Sequence, residues 1–254
     1  MESEEHLRAL DRAGAAFAGI AGTLPPGAPV PTCPGWDVAA LTRHLGKVHR
    51  WAATIVGTPL QQALGFDGFD AGAPDAAGEV VPWFREGHRR LVQTLRDASA
   101  DLDCWSFLPA PTPRAFWCRR QAHETAMHLV DVAGAAGLPV DSIGWEVPPA
   151  FAADGVDELL QGWMRGRPPG PDADDEPALR VVATDQPLDW QLGFPGRRGV
   201  TLVAGPEAAR PASCTVRGRA VDLYLLLWNR RSVQGLQAEG DIAVLGRWAA
   251  ARQI

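Results

Sequence analysis

Cysteine is scarce in this sequence and badly placed for joint work: Cys33, Cys104, Cys118 and Cys214 are scattered through 254 residues, with no Cys-x-x-Cys pair. That excludes a disulfide framework and a thiolate zinc site, and it suits a reducing compartment. Each of the four reads as a small buried hydrophobe, and nothing beside Cys33 or Cys118 would depress a thiol pKa enough to make a nucleophile. Basic charge is also short. Lys and Arg number 24 against 30 Asp and Glu, a formal net charge of -6, which argues against a nucleic-acid-binding face. No apolar run approaches the ~20 residues of a membrane span. The opening "MESEEHLRAL" is acidic where a secretory signal would be basic and then apolar. A cytoplasmic protein that binds neither nucleic acid nor membrane is expected, as monomer or homodimer, and no internal repeat is visible.

What is present is an ordinary globular composition, 46% hydrophobic and 21% charged, long enough for one large domain or two smaller ones. The first half has the period of helices. Leu7, Leu10, Ala13, Phe17 and Ile20 form one stripe across 4–23. After the loop "LPPGAPVPTCPGW", Asp37 offers an N-cap to a second helix that ends near Gly57. A third helix covers about 79–98, with Val80, Phe84, Leu91 and Leu95 inside. A fourth runs from about Ala115 to Ala136 and stops at Gly137. Four helices parted by Pro- and Gly-rich loops predict a four-helix bundle, a scaffold that builds metal sites between facing helices.

Past about residue 145 the pattern changes. A helix around 150–165 leads into the Pro- and Asp-rich "GRPPGPDADDEP", and then into the strand-like runs "ALRVVATD", "LDWQLGF", "GVTLVAGP" and "ASCTVRG". Two helices, "AVDLYLLLWNRR" and "DIAVLGRWAAARQ", close the chain. The expected organisation is a bundle over 1–145 and a smaller α+β domain with an antiparallel sheet over 146–254, α and α+β in class.

The chemistry concentrates in "RRQAHETAMHLVD", Arg119 to Asp131. It resembles the zinc-protease signature His-Glu-x-x-His, but its histidines are five apart. At about 100° per residue, His123 and His128 point roughly 140° away from each other and do not grip one ion together. Glu124 and His128, four apart, stack on one face with Trp117 and Val132. An acid and an imidazole on a buried stripe need compensating charge or hydrogen bonds, and a divalent cation supplies such charge. The best third ligand is His44, which lies within the stripe Val38, Leu41, Leu45, Val48 and Ile55; His49 faces another way. Two His and one Glu leave a fourth position open, the pattern of a catalytic zinc site, although nickel, iron and manganese suit the same donors. A structural Glu–His pair is the competing reading. Asp131, three after His128, is a candidate support for that ring or a partner of Arg120. Trp36 reads as a packing anchor at the entry to the second helix and as a candidate site contact.

These residues carry a resemblance. "VPTCPGWDVAALTRHLGKVHRWA" with "FWCRRQAHETAMHLVDVAGAAG" resembles the maleylpyruvate isomerase family of mycothiol-dependent enzymes, within the DinB-like superfamily. "VRGRAVDLYLLLWNRRS" with "LQAEGDIAVLGRWA" is similar to that family's C-terminal domain, a sterol-carrier-like α+β fold. The resemblance covers nearly the whole chain. It implies zinc held by His44, Glu124 and His128, and mycothiol as cosubstrate in cis–trans isomerisation or S-transfer. It also implies a role for Arg230, at the end of the "LLLW-x-R" helix, in holding an anionic substrate by paired hydrogen bonds. Arg231 competes for that role, and Asn229 departs from the small residue usual before the arginine. Two other readings stay open: a thiol-free metal-dependent lyase, hydrolase or cyclase, and a non-catalytic small-molecule binding protein.

Overall fold

The second helix shows how local signals set the framework. Asp37 accepts a hydrogen bond from the Ala40 N–H at 2.7 Å, filling one of the donors that a helix start leaves open. Val38, Leu41, Leu45, Val48 and Ile55 are then buried in turn. The structure, a computed structural model, describes residues 1–143, 145–163, 177–193, 201–202 and 212–251. The chain divides into two compact units, Met1–Glu146 and Val147–Ile254.

In the first unit the helices are α1 (Ser3–Ala21), α2 (Val38–Gly57), α3 (Val80–Asp97) and α4 (Pro113–Ala135). Leu7, Leu10, Ala13 and Phe17 of α1 are buried, whereas Ile20 is only half-buried. α1 packs chiefly on α4 and α2 on α3, with further contacts between α1 and α3 and between α2 and α4. α4 begins two residues before the expected Ala115 because Thr112 caps it, accepting from the Ala115 N–H at 3.1 Å, with Pro113 in the first turn. It is buried on nearly every face, including Arg120, Gln121, His123, Thr125, His128 and Asp131, so these polar residues face other parts of the protein rather than solvent. Its end is a Schellman turn: the Leu138 N–H reaches Ala133 O and the Gly137 N–H reaches Gly134 O. Gly137 has φ 66° there, a left-handed conformation that suits glycine.

The aromatic residues of this unit pin its long connections. Trp51, Trp105, Phe107, Phe116 and Trp117 form one cluster with ring centroids 4.7 to 6.3 Å apart. Trp51 donates to Leu64 O and Trp117 to Trp105 O. The loop before α2 is closed by its own backbone, with Val30 N–H to Trp36 O, Cys33 N–H to Val30 O and Trp36 N–H to Cys33 O, each 3.0 Å. Gly35, at φ 84°, makes the turn that delivers Trp36 to the helix entry.

The second unit holds α5 (Pro149–Asp157), continued by π-helical turns over Glu158–Trp163, then β1 (Pro177–Ala183), β2 (Asp189–Gly193), β3 (Thr201–Leu202), β4 (Cys214–Gly218), α6 (Ala220–Leu227), β5 (Gln237–Gly240) and α7 (Ala243–Ala251). The sheet order is β3-β2-β1-β4-β5. Three of its pairings are antiparallel, but β1 and β4 run parallel, Leu179 opposite Cys214 and Val181 opposite Val216. The expected antiparallel sheet is therefore mixed. The hairpin through β2 and β3 occupies one side of β1, and the chain returns to its other side in the same direction. Leu179, Val181, Ala183, Cys214 and Val216 are buried, the period of two that a half-covered sheet requires. Trp190 donates to Asp157, Trp228 to Gly155 O and Trp248 to Leu227 O, which ties the helices of this unit together. Most of "GRPPGPDADDEP" and of "GVTLVAGP" lies outside the described residues. No described helix is long and apolar enough to cross a membrane.

Candidate metal centre

Two helices and one loop of the first unit converge on a polar cluster. α2 contributes His44, which is half-buried at the margin of its apolar stripe; α4 contributes Glu124, His128, Arg120 and Asp131. One ligand atom from each of His44, Glu124 and His128 lies within 4.8 Å of the other two. His44 Nε2 stands 3.5 Å and His128 Nε2 3.3 Å from the same oxygen, Glu124 Oε1. The imidazoles meet edge to face with centroids 5.1 Å apart. Glu124 and His128 meet because they are one turn apart on α4; His44 joins them because α2 packs against α4.

The surrounding bonds aim these atoms. Arg120, only 3% exposed, donates from Nη2 to Glu124 Oε2 at 2.8 Å, so Glu124 gives one oxygen to a guanidinium and turns the other toward the histidines. Of the two donors expected for Asp131, His128 is found on its carboxylate, and Arg120 donates to Glu124. His128 Nδ1 lies 2.8 Å from Asp131 Oδ2, and the other carboxylate oxygen of the fully buried Asp131 accepts from Thr32 Oγ1 at 2.5 Å. Neutral and with Nδ1–H engaged, the His128 ring would face Glu124 with a bare lone pair on Nε2; protonated, it donates there instead. Trp36 does not stay at the helix entry alone; its ring lies 4.9 Å from that of His44, and Phe66 borders the same imidazole at 5.9 Å.

Lone-pair atoms facing one another in this way need positive charge among them. The titration of the groups expresses that need. Burial pushes the Glu124 carboxyl up, but hydrogen bonds from His128 and His44 and the charge of Arg120 outweigh it and hold the acid well below its usual range. Burial lowers His128, yet the carboxylates of Asp131 and Glu124 raise it to about 9. Two imidazoles, one carboxylate and a carboxylate behind an imidazole form the donor chemistry of a divalent cation with nitrogen and oxygen ligands. These residues fit such an ion.

Comparison with known proteins gives the cluster a context. Residues 7–133 match the mycothiol maleylpyruvate isomerase N-terminal domain, and residues 150–247 match the MDMPI C-terminal domain. The chain belongs to the mycothiol-dependent maleylpyruvate isomerase family. Two solved structures share its fold. A crystal structure of the mycothiol-dependent maleylpyruvate isomerase is 14% identical, with a TM-score of 0.61 over 94% of this chain and 93% of that one. A histidine-to-alanine mutant of that isomerase is 15% identical, with a TM-score of 0.60 over the same shares. No curated protein matches the chain in sequence.

The remaining candidates of this family member sort by environment. His123 is fully buried and meets His6 edge to face at 5.8 Å, so it stands apart from the three converging residues. His49 lies in the core against Thr125 and His88. Burial pushes the Cys118 thiol up to about 12, which makes it inert. Cys33 is different: its sulfur lies within 4.8 Å of ligand atoms of His128 and Asp131, a proximity that its sequence neighbours do not reveal. In the second unit, Arg231 is committed to an ion pair with Asp222 and to Gln234 O, while Arg230 bonds Trp228 O from Nη1 at 2.9 Å. α6 ends in a Schellman turn like that of α4, with the Arg230 N–H on Leu225 O and the Asn229 N–H on Leu226 O. Asn229 takes the left-handed place at φ 59°, which asparagine tolerates better than most residues.

Proposed function

We propose that the protein is a metal-dependent enzyme that uses mycothiol to act on a small anionic electrophile, by cis–trans isomerisation of the maleylpyruvate type or by S-transfer. The observation that carries this reading is the convergence of His44, Glu124 and His128 within 4.8 Å of one another. His44, Glu124 and His128 would hold zinc or another divalent ion, which when bound would supply a lowered pKa to a thiol beside it. The chain's own residues supply the rest. His44 and His128 offer imidazole lone pairs, and Glu124 contributes a negative charge that Arg120 orients. Asp131 keeps the proton of His128 on Nδ1. Trp36 and Phe66 give the His44 side an apolar border.

Arg230 is assigned to a carboxylate of the substrate. In the isomerisation, thiolate adds to one carbon of the activated double bond and the electron pair moves onto the conjugated carbonyl. The carbon–carbon bond, now single, rotates. The pair then returns and the carbon–sulfur bond breaks, releasing thiolate and the trans product. In S-transfer the carbon–sulfur bond persists and a proton completes the adduct.

Elemental analysis of protein expressed with supplemented metal tests the centre: about one equivalent is expected, and less than about a tenth sinks the reading. Calorimetry with mycothiol on the loaded protein separates thiol chemistry from thiol-free chemistry, since no heat at millimolar ligand sinks the thiol. Arg230→Ala is expected to lower turnover with metal content unchanged.

A further inference from the structure

Thr32 belongs to neither helix of the cluster, yet it is bonded into it. Its hydroxyl has one proton, and at 2.5 Å from Asp131 Oδ1 that proton goes to the carboxylate. Asp131 is fully buried and uses Oδ2 for His128 Nδ1 at 2.8 Å. Anchoring Oδ1 removes the freedom of the carboxylate to swing about its Cβ–Cγ bond, so Oδ2 and the imidazole it holds acquire one orientation. The loop does not need this bond for its own shape, which three internal backbone hydrogen bonds and the Pro29–Asp37 bridge already close. The same loop lays Trp36 against His44. One short segment therefore touches both imidazoles, one directly and one through Asp131.

We propose that Thr32 is a positioning residue of the centre. Its hydroxyl sets the Asp131 carboxylate, Asp131 sets the plane of His128, and the loop thereby tunes the affinity for a divalent cation that it does not itself ligate. The proposal rests on the metal reading above. Partners of this kind, bonded to the residue behind a ligand, change metal affinity by about 10- to 100-fold in other sites.

The test uses cobalt(II), whose visible bands report ligand geometry, on full-length wild type, Thr32→Val and Thr32→Ser. Thr32→Val keeps the shape and loses the donor. It is expected to bind cobalt about tenfold more weakly with shifted bands, while Thr32→Ser stays close to wild type. Thr32→Ala gives the same comparison if the valine variant does not fold. Equal cobalt affinity and spectrum in Thr32→Val and wild type overturn the proposal. A second readout needs no metal. The His128 Nδ1–H proton resonance is expected to move and exchange faster in Thr32→Val, and to be retained in Thr32→Ser. Should wild type take up no cobalt, the metal reading fails by itself. The proton resonance then decides the positioning role, which an unchanged signal in Thr32→Val overturns.

Discussion

Two histidines of α2 stand five residues apart and face two consecutive residues of α4, yet they live in different chemistry. His44 faces the Glu124 carboxylate and the ring of His128. His49 faces the Thr125 hydroxyl and the ring of His88. Thr125 gives its one proton to Gln121 O at 2.7 Å, so its oxygen accepts from His49 Nε2–H at 2.9 Å. His49 Nδ1 is then a bare lone pair that finds no hydrogen-bond partner among the described residues, and neither nitrogen of His88 finds one. His44 meets a carboxylate and a second imidazole, a set of donors that suits a cation. Beside a hydroxyl in the core, His49 is kept neutral. What stands opposite the ring, together with its burial, separates a candidate ligand from a core residue.

The sharpest way to break this contrast is to remove the acid. Glu124→Ala takes away the negative charge and one hydrogen-bond partner of Arg120, which is 3% exposed. Metal binding is expected to weaken by more than about 100-fold, while His49→Leu leaves metal content at the wild-type level. Elemental analysis after dialysis reads both. Retained metal in Glu124→Ala, or lost metal in His49→Leu, would reverse the assignment of the two regions. A smaller effect is expected at the neutral pair. Thr125→Val leaves the His49 N–H without an acceptor, which costs about 1–3 kcal/mol in denaturant unfolding. Thr125→Ser keeps the acceptor and most of the stability. Equal stability of Thr125→Val and wild type would show that the hydrogen bond contributes nothing net.

The parts that were legible in the sequence were local. Asp37, the α2 stripe and Gly137 mark helix ends through spacings of one to four residues, and each is found in that role. Glu124 and His128 were legible as a pair because a helix brings residues four apart together. The bond between Arg120 and Glu124 has the same spacing, and reading Arg120 toward Asp131 overlooked it. Thr32 was beyond reach: it is a loop residue 99 positions from Asp131, and no periodicity links a loop to a helix. Phe66 at His44 is invisible for the same reason. The parallel pairing of β1 with β4 was missed because strand-like runs declare their faces and not their neighbours. Sequence patterns report which side of an element is buried; they report poorly what lies across from it.

The smallest expected effect is also the most diagnostic, because it depends on pH. Burial is the main cause that holds His49 well below the ordinary histidine value, with the charges of His88, Arg50 and His128 acting the same way and Glu124 opposing them. Burial lowers His88 too, with Asp11 opposing, its carboxylate 3.7 Å from Nε2. In the unfolded chain both titrate near ~6.5. Below that pH the unfolded state therefore binds protons that the folded state refuses, so their neutral burial costs nothing above about 6.5 and destabilises progressively as pH falls from there, by up to ~1.4 kcal/mol per pH unit for each ring. His49→Leu removes one of the two. Its stability is expected to fall less steeply than that of wild type between about pH 6.5 and 5, measured as denaturant unfolding free energy at each pH. Parallel curves would mean that His49 accepts its proton in the fold as readily as in the coil, and its assignment as a neutral core imidazole would lose its physical basis.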